Sequence, residues 1–318
     1  MELIRGLHNI RASHYGCVMT IGNFDGVHLG HQAVIGRLAE KAAELCLPSL
    51  IMLFEPQPRE FFAPDSAPAR LTRFREKVQA LRRFAVDRIL CIHFNQAFAS
   101  MPAEKFIDEI LVEKLGVRYL VVGDDFRFGH GRDGNFDMLV KAGKQHGFHV
   151  VNMHSFLVDQ ARVSSTQIRE ALAKGDLSVA EKLLGRPYRI AGRVAHGDKR
   201  GRNIGFPTAN IYVHRKVTPL TGVFAVEMFG LEEEPVAGVA NLGIRPTVNG
   251  TKCILEVHLF DFNRDIYGRY IYVNFLKKLR DEQRFNSFDE LKRQIELDAL
   301  QAREFFKDRE SKAHKIVE

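Results

Sequence analysis

The sequence predicts two consecutive domains, an α/β domain built on a parallel sheet and then a smaller all-β domain. The chain has 318 residues, and at roughly 150 residues per domain this length corresponds to about two domains. Strand-like and helix-like segments alternate through the first half, as they do in parallel sheets covered by helices. In the second half, short β-like runs are separated by Gly and Pro, which is typical of a small antiparallel barrel or sandwich.

Composition and charge are those of a globular protein. Hydrophobic residues make up 45% and charged residues 27% of the chain, which argues against a disordered or fibrous protein. The net charge of +7 suits anionic partners, but it does not distinguish nucleic acids from nucleotide substrates. The four cysteines include no CxxC pair, so they indicate neither a zinc site nor a disulfide framework. Without a signal peptide or an apolar stretch of ~18 residues, we expect a cytoplasmic protein that does not contact membranes.

The first domain is expected to contain parallel strands with helices between them. The strand-like runs are Cys17–Ile21, Leu50–Phe54, Ile89–Phe94, Tyr119–Gly123 and His149–Met153. The helix-like segments are Val34–Leu45, Arg73–Phe84, Ala103–Leu115, Phe136–His146, Thr166–Lys174 and Leu177–Leu184. The helix-breaking sequence Gly185-Arg186-Pro187 then marks a boundary, so we expect domains at residues 1–184 and 185–318.

The second domain is expected to be all-β with a terminal helix. Its β-like runs are Tyr188–Ala195, Val223–Met228, Val236–Asn241, Cys253–Leu259 and Tyr270–Phe275. Ser287 and Glu290 are spaced as a capping box in front of a C-terminal helical pattern.

A candidate phosphate site follows the first of these strands. Glycines at positions 22, 26 and 30 let the backbone turn sharply and approach a ligand closely. A helix that begins here would present unpaired N–H groups and a partial positive charge to phosphate. We therefore expect nucleotide phosphates to bind at Gly22, Asn23, Phe24, Asp25 and Gly26.

His28 and His31 are the candidate catalytic residues of this site. Side chains three apart point the same way on a helical turn, and two imidazoles can donate hydrogen bonds to phosphate oxygens as negative charge grows. One alternative is that one histidine caps the helix while the other packs, and another is zinc binding. The Gly-rich strand-to-helix loop favours the phosphate site, and the histidine spacing is not that of a zinc protease motif.

Two of these sequences resemble a known superfamily. His28–His31 (HLGH) is similar to the HxGH signature of nucleotidyltransferases, and Val163–Arg169 (VSSTQIR) is similar to the (I/V)SSTxIR motif of their adenylyltransferase branch. By itself the SST sequence would indicate only a helix cap. The resemblance implies a Rossmann-like first domain in which the second motif closes the active site through Ser164, Ser165, Thr166 and Arg169.

Two further loops resemble bacterial FAD synthetases. Gly123–Gly129 (GDDFRFG) is similar to their flavin-side loop, which implies a polar contact from Asp125 and a flat ring flanked by Phe126 and Phe128. The alternative for this segment is a turn that carries two core aromatics. Phe54–Pro58 (FEPQP) matches the family's FxPxP loop; many members carry His where this chain has Gln57, so no charged role is transferred to that position.

The second domain contains another candidate nucleotide loop, with the sequence GRNIGFPTAN. Glycines permit close approach of a ligand, and a proline stiffens the exit of the loop. Thr208 and Asn210 offer the hard oxygen atoms that Mg²⁺ accepts. The loop is not a Walker A sequence, so from its residues alone it is a weak indication of nucleotide binding.

In riboflavin kinases, GRxxGxPTAN is followed by segments similar to Gly222–Ala225, Asn241–Thr247 and Glu256–His258 in that order. This resemblance implies a six-stranded flavokinase barrel, with Mg²⁺ on Thr208 and Asn210. It also implies nucleotide binding by Gly201, Arg202, Gly205 and Pro207. Glu256 is then the catalytic base, a role worth ~10²–10⁴ in rate, although a single carboxylate on a strand is usually only solvated. Arg280 and Phe285 match a family LRxExxF stretch near the flavin.

Taken together, the whole chain resembles the family of bifunctional prokaryotic riboflavin kinase/FAD synthetases. The resemblance implies that riboflavin and ATP give FMN and ADP, and that FMN and ATP give FAD and pyrophosphate, both with Mg²⁺. Another nucleotidyltransferase, acting on nicotinate mononucleotide or a sugar phosphate, would leave the PTAN loop and Glu256 without a role. A non-enzymatic RNA-binding protein would carry aromatics interleaved with Lys and Arg, and no such stripe is visible, so we expect no nucleic-acid partner.

Overall fold

The computed structural model describes residues 1–123, 126–153, 157–158, 161–196, 205–213, 215, 217–247 and 250–317. The chain forms two compact units. Unit 1 comprises Met1–Pro68 and Thr72–Ser164, and unit 2 comprises Ala69–Leu71 and Ser165–Glu318. No helix within the described ranges is both long and apolar enough to cross a membrane.

Unit 1 is built on a six-stranded parallel sheet in the order β1-β4-β3-β2-β5-β6. Its strands are β1 (Glu2–Arg5), β2 (Cys17–Ile21), β3 (Ser49–Glu55), β4 (Arg88–His93), β5 (Val117–Gly123) and β6 (His149–Met153). The five strands predicted from the sequence are confirmed. The edge strand β1 is not predicted, because Ile4 is the one fully buried residue among its four and the segment has no apolar run.

Helices cover both faces of this sheet. They are α1 (Leu29–Leu45), α2 (Pro58–Phe62), α3 (Phe74–Leu81), α4 (Gln96–Ala99), α5 (Ala103–Lys105) and α6 (Phe136–His146). Val18 of β2 packs in a cluster with Leu38 of α1, whereas its neighbour Met19 packs in a cluster with Leu139 of α6. Successive strand residues point to opposite faces, so this alternation shows a sheet buried on both sides.

Two parts of unit 1 depart from the predicted elements. The segment predicted as one helix over Ala103–Leu115 begins as α5 and continues as a π-helix over Phe106–Lys114. Two short strands, β7 (Leu157–Val158) and β8 (Ala161–Arg162), form a separate antiparallel pair.

The strand order of unit 1 reverses between β2 and β5. The chain continues from β2 to β3 and β4 on one side, whereas β5 and β6 lie on the other side. Ligands of open parallel sheets bind outside the carboxyl ends of the strands at such a reversal. The loops that follow β2 and β5 therefore lie where a ligand is expected.

Unit 2 contains a closed antiparallel barrel in the order β10-β13-β12-β11-β14-β9. Its strands are β9 (Tyr188–Ala195), β10 (Ala209–Tyr212), β11 (Gly222–Phe229), β12 (Val236–Thr247), β13 (Gly250–Leu259) and β14 (Tyr270–Arg280). Of the barrel and the sandwich that the sequence left open, the structure has the barrel. Residues predicted as a loop up to Asn210 include the start of β10, which was hidden by its short length and the adjacent Pro207.

Three helices complete unit 2, namely α7 (Ser165–Lys174), α8 (Leu177–Leu184) and α9 (Phe288–Val317). At the start of α9 the Ser287 hydroxyl accepts a hydrogen bond from the Glu290 N–H at 3.2 Å, as the capping box predicts. The Glu290 carboxylate accepts from the Asn286 N–H rather than from that of Ser287.

Packing divides the chain earlier than the expected boundary near Gly185. The buried residues of α7 and α8, including Ile168, Leu172 and Leu184, belong to the same apolar cluster as the barrel interior. The sequence predicts both helices but not which core they join, since that depends on long-range contacts. The segment Ala69–Leu71, which interrupts unit 1 in the sequence, also belongs to unit 2. There the Arg215 guanidinium donates hydrogen bonds to the carbonyls of Arg70 and Leu71.

Candidate active sites

The loop between β2 and α1 has an unusual backbone. Phe24, Gly26 and Val27 have φ angles of 48°, 84° and 44°, in the left-handed region that non-glycine residues rarely adopt. Backbone strain of this kind is concentrated at functional sites, where surrounding contacts maintain it. The loop thus turns sharply beside the start of α1, as its glycines predict.

A buried hydrogen-bonded pair fixes this turn. The Thr72 N–H donates to Asp25 Oδ1 at 2.9 Å, and the Gly26 N–H donates to Thr72 Oγ1 at 2.9 Å. The Thr72 hydroxyl also lies 3.2 Å from Asp25 Oδ1. Asp25, which the sequence predicts as a phosphate-binding residue, therefore directs a carboxylate oxygen to Thr72, and a carboxylate would repel phosphate.

The two histidines meet at the N-terminus of α1. His28 is the N-cap, and its Nδ1 accepts the His31 N–H at 3.4 Å. The two rings stack with centroids 3.6 Å apart and an angle of 21° between their planes. The prediction that they point the same way is thus confirmed. Gly30 between them is tightly enclosed, since a Cβ there would lie 3.2 Å from the His28 ring and 3.3 Å from the Val163 carbonyl oxygen.

His31 is held in its neutral form. Burial, followed by the charges of His28 and Lys77, keeps the pKa of the His31 imidazole well below its usual 6.5. Its Nδ1 is buried without a hydrogen-bond partner among the described residues. A neutral ring donates a hydrogen bond from one nitrogen only, so His31 can serve as a donor that carries no charge.

Lys77 is a residue of this site that the sequence reasoning missed. It lies on α3 and is 1% exposed, and its charge acts on His31. Lysine is almost never fully buried without a partner for its charge. In the sequence Lys77 occupies one position of an amphipathic helix with many charged residues, so nothing marks it as buried.

The loop after β5 brings Phe126 and Phe128 together, but not as a cleft for a flat ring. The two rings stack on each other with centroids 5.6 Å apart and an angle of 19°. A planar ligand between two rings needs about 7 Å, twice the contact distance of carbon atoms. Phe128 is buried against Phe106, whereas Phe126 is half-buried. The predicted contact from Asp125 lies outside the described residues.

The second motif of the predicted adenylyltransferase site is distributed over both units. Ser164 ends unit 1, whereas Ser165, Thr166 and Arg169 belong to α7 in unit 2. Thr166 is exposed, and Ser164 and Ser165 are half-buried. Arg169, predicted to bind phosphate, donates from Nε to the Ala69 carbonyl at 2.6 Å.

In unit 2 the barrel register aligns the second set of predicted residues. Asn210 of β10 lies opposite Glu256 of β13, and Glu256 lies opposite Asn241 of β12. Directly opposed residues of antiparallel strands share one face of the sheet. Their half-burial contrasts with the buried neighbours Leu255 and Val257, so these polar side chains lie on the outer face. Thr208 immediately precedes β10.

The approach to β10 is ordered by His258. Its Nδ1 donates to the Pro207 carbonyl at 3.0 Å, and Gly205 adopts a φ of 83°. Burial lowers the pKa of the His258 imidazole, although the hydrogen bond to Pro207 opposes this shift. Gly201 and Arg202 of the same predicted loop lie outside the described residues.

A cavity of about 370 Å³ opens beside Thr208. One wall is formed by Pro207, Thr208 and Val257, and the other by the segment Phe262–Tyr267 that connects β13 to β14. This connection carries no recognisable motif, so it was not predicted as part of the site. The arrangement is a concave site bordered by Thr208.

Comparison with known proteins decides the family of the chain. A family model described as FAD synthetase matches residues 10–167, and one described as riboflavin kinase matches residues 184–306. A bifunctional riboflavin kinase/FMN adenylyltransferase of Escherichia coli (strain K12) is 55% identical over 96% of this chain and 98% of its own length. One from Haemophilus influenzae is 54% identical over 96% of this chain and 99% of its own length.

The chain belongs to the bifunctional riboflavin kinase/FMN adenylyltransferase family. The family resemblance predicted from the sequence is confirmed, together with its order of an adenylyltransferase half and a kinase half. The α/β sheet and the six-stranded barrel are the folds expected for these two halves.

A solved structure shows the same architecture. A crystal structure described as a macrolide-efflux protein from Streptococcus pneumoniae superposes with a TM-score of 0.78 at 30% sequence identity. The similarity covers 93% of this chain and 97% of that one. The fold described above is therefore shared over nearly the full length of both chains.

Within the kinase half, Arg280 has a structural role. Its guanidinium forms a two-pronged ion pair with the buried Asp298 of α9, with N–O distances of 2.8 and 2.7 Å. Its Nη1 also donates to the Asp281 carbonyl, and the guanidinium carbon lies 5.8 Å from the Phe285 ring centroid. Arg280 thus joins β14 to α9 and holds Phe285, which was predicted near the flavin.

Proposed function

We propose that unit 1 transfers the adenylyl group of ATP to FMN and that unit 2 transfers the γ-phosphoryl group of ATP to riboflavin. The observation that carries this assignment is the presence of two separate polar sites, one in each unit. Supporting it, the FAD synthetase and riboflavin kinase models match separate stretches of the chain, residues 10–167 and 184–306. We accordingly assign the two activities to residues 1–184 and 185–318, although α7 and α8 pack with the barrel.

In unit 1, an FMN phosphate oxygen attacks the α-phosphorus of ATP and pyrophosphate leaves. The attacking oxygen is already anionic at pH 7, so the site needs hydrogen-bond donors rather than a strong base. The α1 N-terminus supplies backbone N–H groups, and the stacked His28 and His31 supply imidazole donors. Preorganised donors of this kind stabilise the charge that develops in the transition state. We keep Gly22, Asn23, Phe24 and Gly26 as the loop that receives the phosphates.

In unit 2, the ribityl hydroxyl of riboflavin attacks the γ-phosphorus of ATP and ADP leaves. Glu256 accepts the proton of that hydroxyl, a role that a carboxylate on the outer face of β13 can perform. The adjacent cavity beside Pro207 and Thr208 is large enough to receive a nucleotide.

The residues of unit 2 fit a magnesium ion. Thr208 and Asn210 provide hydroxyl and amide oxygens, and the register places the Glu256 carboxylate opposite Asn210. Mg²⁺ prefers such hard oxygen ligands together with substrate phosphates and water. When bound, it would offset the negative charge of the ATP phosphates.

For the flavin rings we propose one aromatic surface in each unit. In unit 1 the half-buried Phe126 offers the face that is not stacked on Phe128. In unit 2 the candidate is Phe285, whose ring lies beside the Arg280 guanidinium at the end of β14. Aromatic rings of a ligand gain by stacking on such surfaces.

The experiment that tests this assignment measures both reactions in two single variants. His28→Ala is expected to lower FAD formation from FMN by ~10²–10³, the scale for losing one preorganised donor, while riboflavin phosphorylation stays intact. Glu256→Gln is expected to abolish most riboflavin phosphorylation and leave FAD formation from supplied FMN intact. Chromatography of flavins after incubation with ATP and Mg²⁺ gives both rates. A folded variant that lost both activities would contradict the division of labour.

A further inference from the structure

The hydrogen bonds between Thr72 and the loop after β2 form a buried clamp. Thr72 is 4% exposed and Asp25 is 2% exposed. The Thr72 hydroxyl accepts from the Gly26 N–H and lies within hydrogen-bond distance of Asp25 Oδ1, to which the Thr72 N–H also donates. A hydrogen bond that involves a carboxylate is about twice as strong as a neutral one. This clamp therefore joins the loop firmly to the chain that enters α3.

The strained residues flank the clamped ones, since Phe24 and Val27 on either side of Asp25 and Gly26 have φ angles of 48° and 44°. Gly26, held by the Thr72 hydroxyl, lies between Asp25 and Val27, and Val27 has a φ of 44°. Strained conformations persist only where surrounding contacts over-determine them. His28 follows Val27 directly and is the N-cap of α1. A relaxed loop would thus displace the first imidazole of the site.

We propose that Thr72 is a positioning residue for FMN adenylylation, acting through the β2–α1 loop on His28. This inference rests on the proposed role of His28, since Thr72 does not itself contact the substrate. A displacement of about 1 Å at a catalytic group can cost 10²-fold in rate. The hydroxyl of Thr72 is the feature that matters, because it bonds both the Gly26 N–H and the Asp25 carboxylate.

The chain contains a comparable pair at the amino ends of the strands of the same sheet. Ser49, at the amino end of β3, donates from N–H and hydroxyl to Asp87 Oδ2 at 2.9 and 2.8 Å. Its hydroxyl accepts the Asp87 N–H at 2.9 Å, and Ser49 is 1% exposed. The hydrogen bonds are of the same kind as those of the Thr72 clamp, although Asp87 is exposed whereas Asp25 is buried. Ser49 lies away from the carboxyl ends of the strands, so its loss should affect stability without affecting the site.

The test compares Thr72→Val, Thr72→Ser and Ser49→Ala in the full chain, with His28→Ala as the reference. For each variant, kcat and KM are measured for FAD formation from FMN, together with riboflavin phosphorylation and the thermal midpoint. We expect Thr72→Val to lower kcat of FAD formation by ~10- to 100-fold with riboflavin phosphorylation unchanged. Thr72→Ser should recover most of the rate, and Ser49→Ala should keep the full rate although its thermal midpoint is lowered.

Three outcomes separate the possibilities. Equal kcat in Thr72→Val and Ser49→Ala would overturn the inference while leaving the proposed function intact. A wild-type rate in His28→Ala would instead overturn the proposed function of the site. If Thr72→Val fails to fold, Asp25→Asn provides the second measurement. The amide oxygen of the variant can still accept the hydrogen bonds from Thr72, but these bonds lack the negative charge that strengthens them. An intermediate loss of kcat there supports the clamp, and an unchanged kcat contradicts it.

Discussion

His31 shows how burial sets the protonation state of a functional group. Its pKa in the folded protein lies below 6.5 because burial, and then the neighbouring His28 and Lys77, disfavour the imidazolium. The unfolded chain therefore binds more protons than the folded one below about pH 6.5, and stability falls as the pH drops through that value. Each pH unit in this range costs up to ~1.4 kcal/mol for one such group.

We expect the stability of His31→Gln to depend less on pH than that of the wild type. Between pH 7.5 and 5.5, the free energy of unfolding of the wild type should decrease more than that of the variant. Urea denaturation at the two pH values measures both differences, and His8→Gln, which changes an exposed histidine, serves as the control. An equal decrease in wild type and His31→Gln would show that His31 is not buried as a neutral group.

Single residues also show what the sequence could not predict. The pairing of His28 and His31 follows from their spacing, and it is confirmed by the stacked rings. The burial of Lys77 and the partnership of Asp25 with Thr72 arise from residues far apart in the chain. Local sequence patterns therefore indicate which residues are candidates for catalysis. They do not indicate which distant residues change the pKa values of these candidates or fix their positions.

At the level of elements, helix α9 is attached to the barrel by an ion pair that could not be predicted from its sequence. The helix covers the outer face of the barrel with Ala299 and Ala302, which pack against Val223 and Phe260. Arg280 and Asp298 tie the helix to β14 with side chains that are 17% and 4% exposed. Removing one partner of a buried pair leaves an uncompensated charge, which is strongly destabilising.

Asp298→Asn is therefore expected to cost about 3 kcal/mol in the free energy of unfolding. The matched control is Asp261→Asn, which breaks the ion pair between Asp261 and Arg303 of the same helix. Both side chains of that pair are exposed, so a much smaller loss is expected. Urea unfolding followed by circular dichroism compares the two, and equal midpoints would contradict the anchoring role of Arg280.

The elements that sequence periodicity predicts well are the long, strongly apolar ones. Strand β2 and helices α6 and α8 have the predicted bounds, because their apolar spacing coincides with burial. The four-residue strands β1 and β10 were missed, since pairing with neighbours rather than apolar pattern defines them. The π-helix at Phe106–Lys114 could not be predicted either. An α-helix of similar length would bury the same residues, so the apolar pattern does not distinguish the two.

For the molecule as a whole, the position of α7 and α8 determines which fragment can stand alone. Both helices bury apolar residues in the cluster that fills the barrel, and a fully buried Leu or Ile contributes about 1.5–3 kcal/mol. A fragment of residues 165–318 should therefore phosphorylate riboflavin and unfold at a higher temperature than a fragment of residues 185–318. Thermal denaturation of the two fragments measures this difference. Equal midpoints would show that the helices are dispensable for the barrel.

We infer that the two proposed sites act independently and that FMN released from one diffuses freely to the other. A mixture of the two single-site variants His28→Ala and Glu256→Gln tests this claim most directly. Each variant alone, supplied with riboflavin, ATP and Mg²⁺, should form almost no FAD. Mixed, they should form FAD at a substantial rate, because FMN made by the first is adenylylated by the second. No FAD from the mixture, although each variant retains its own half-reaction, would contradict the account.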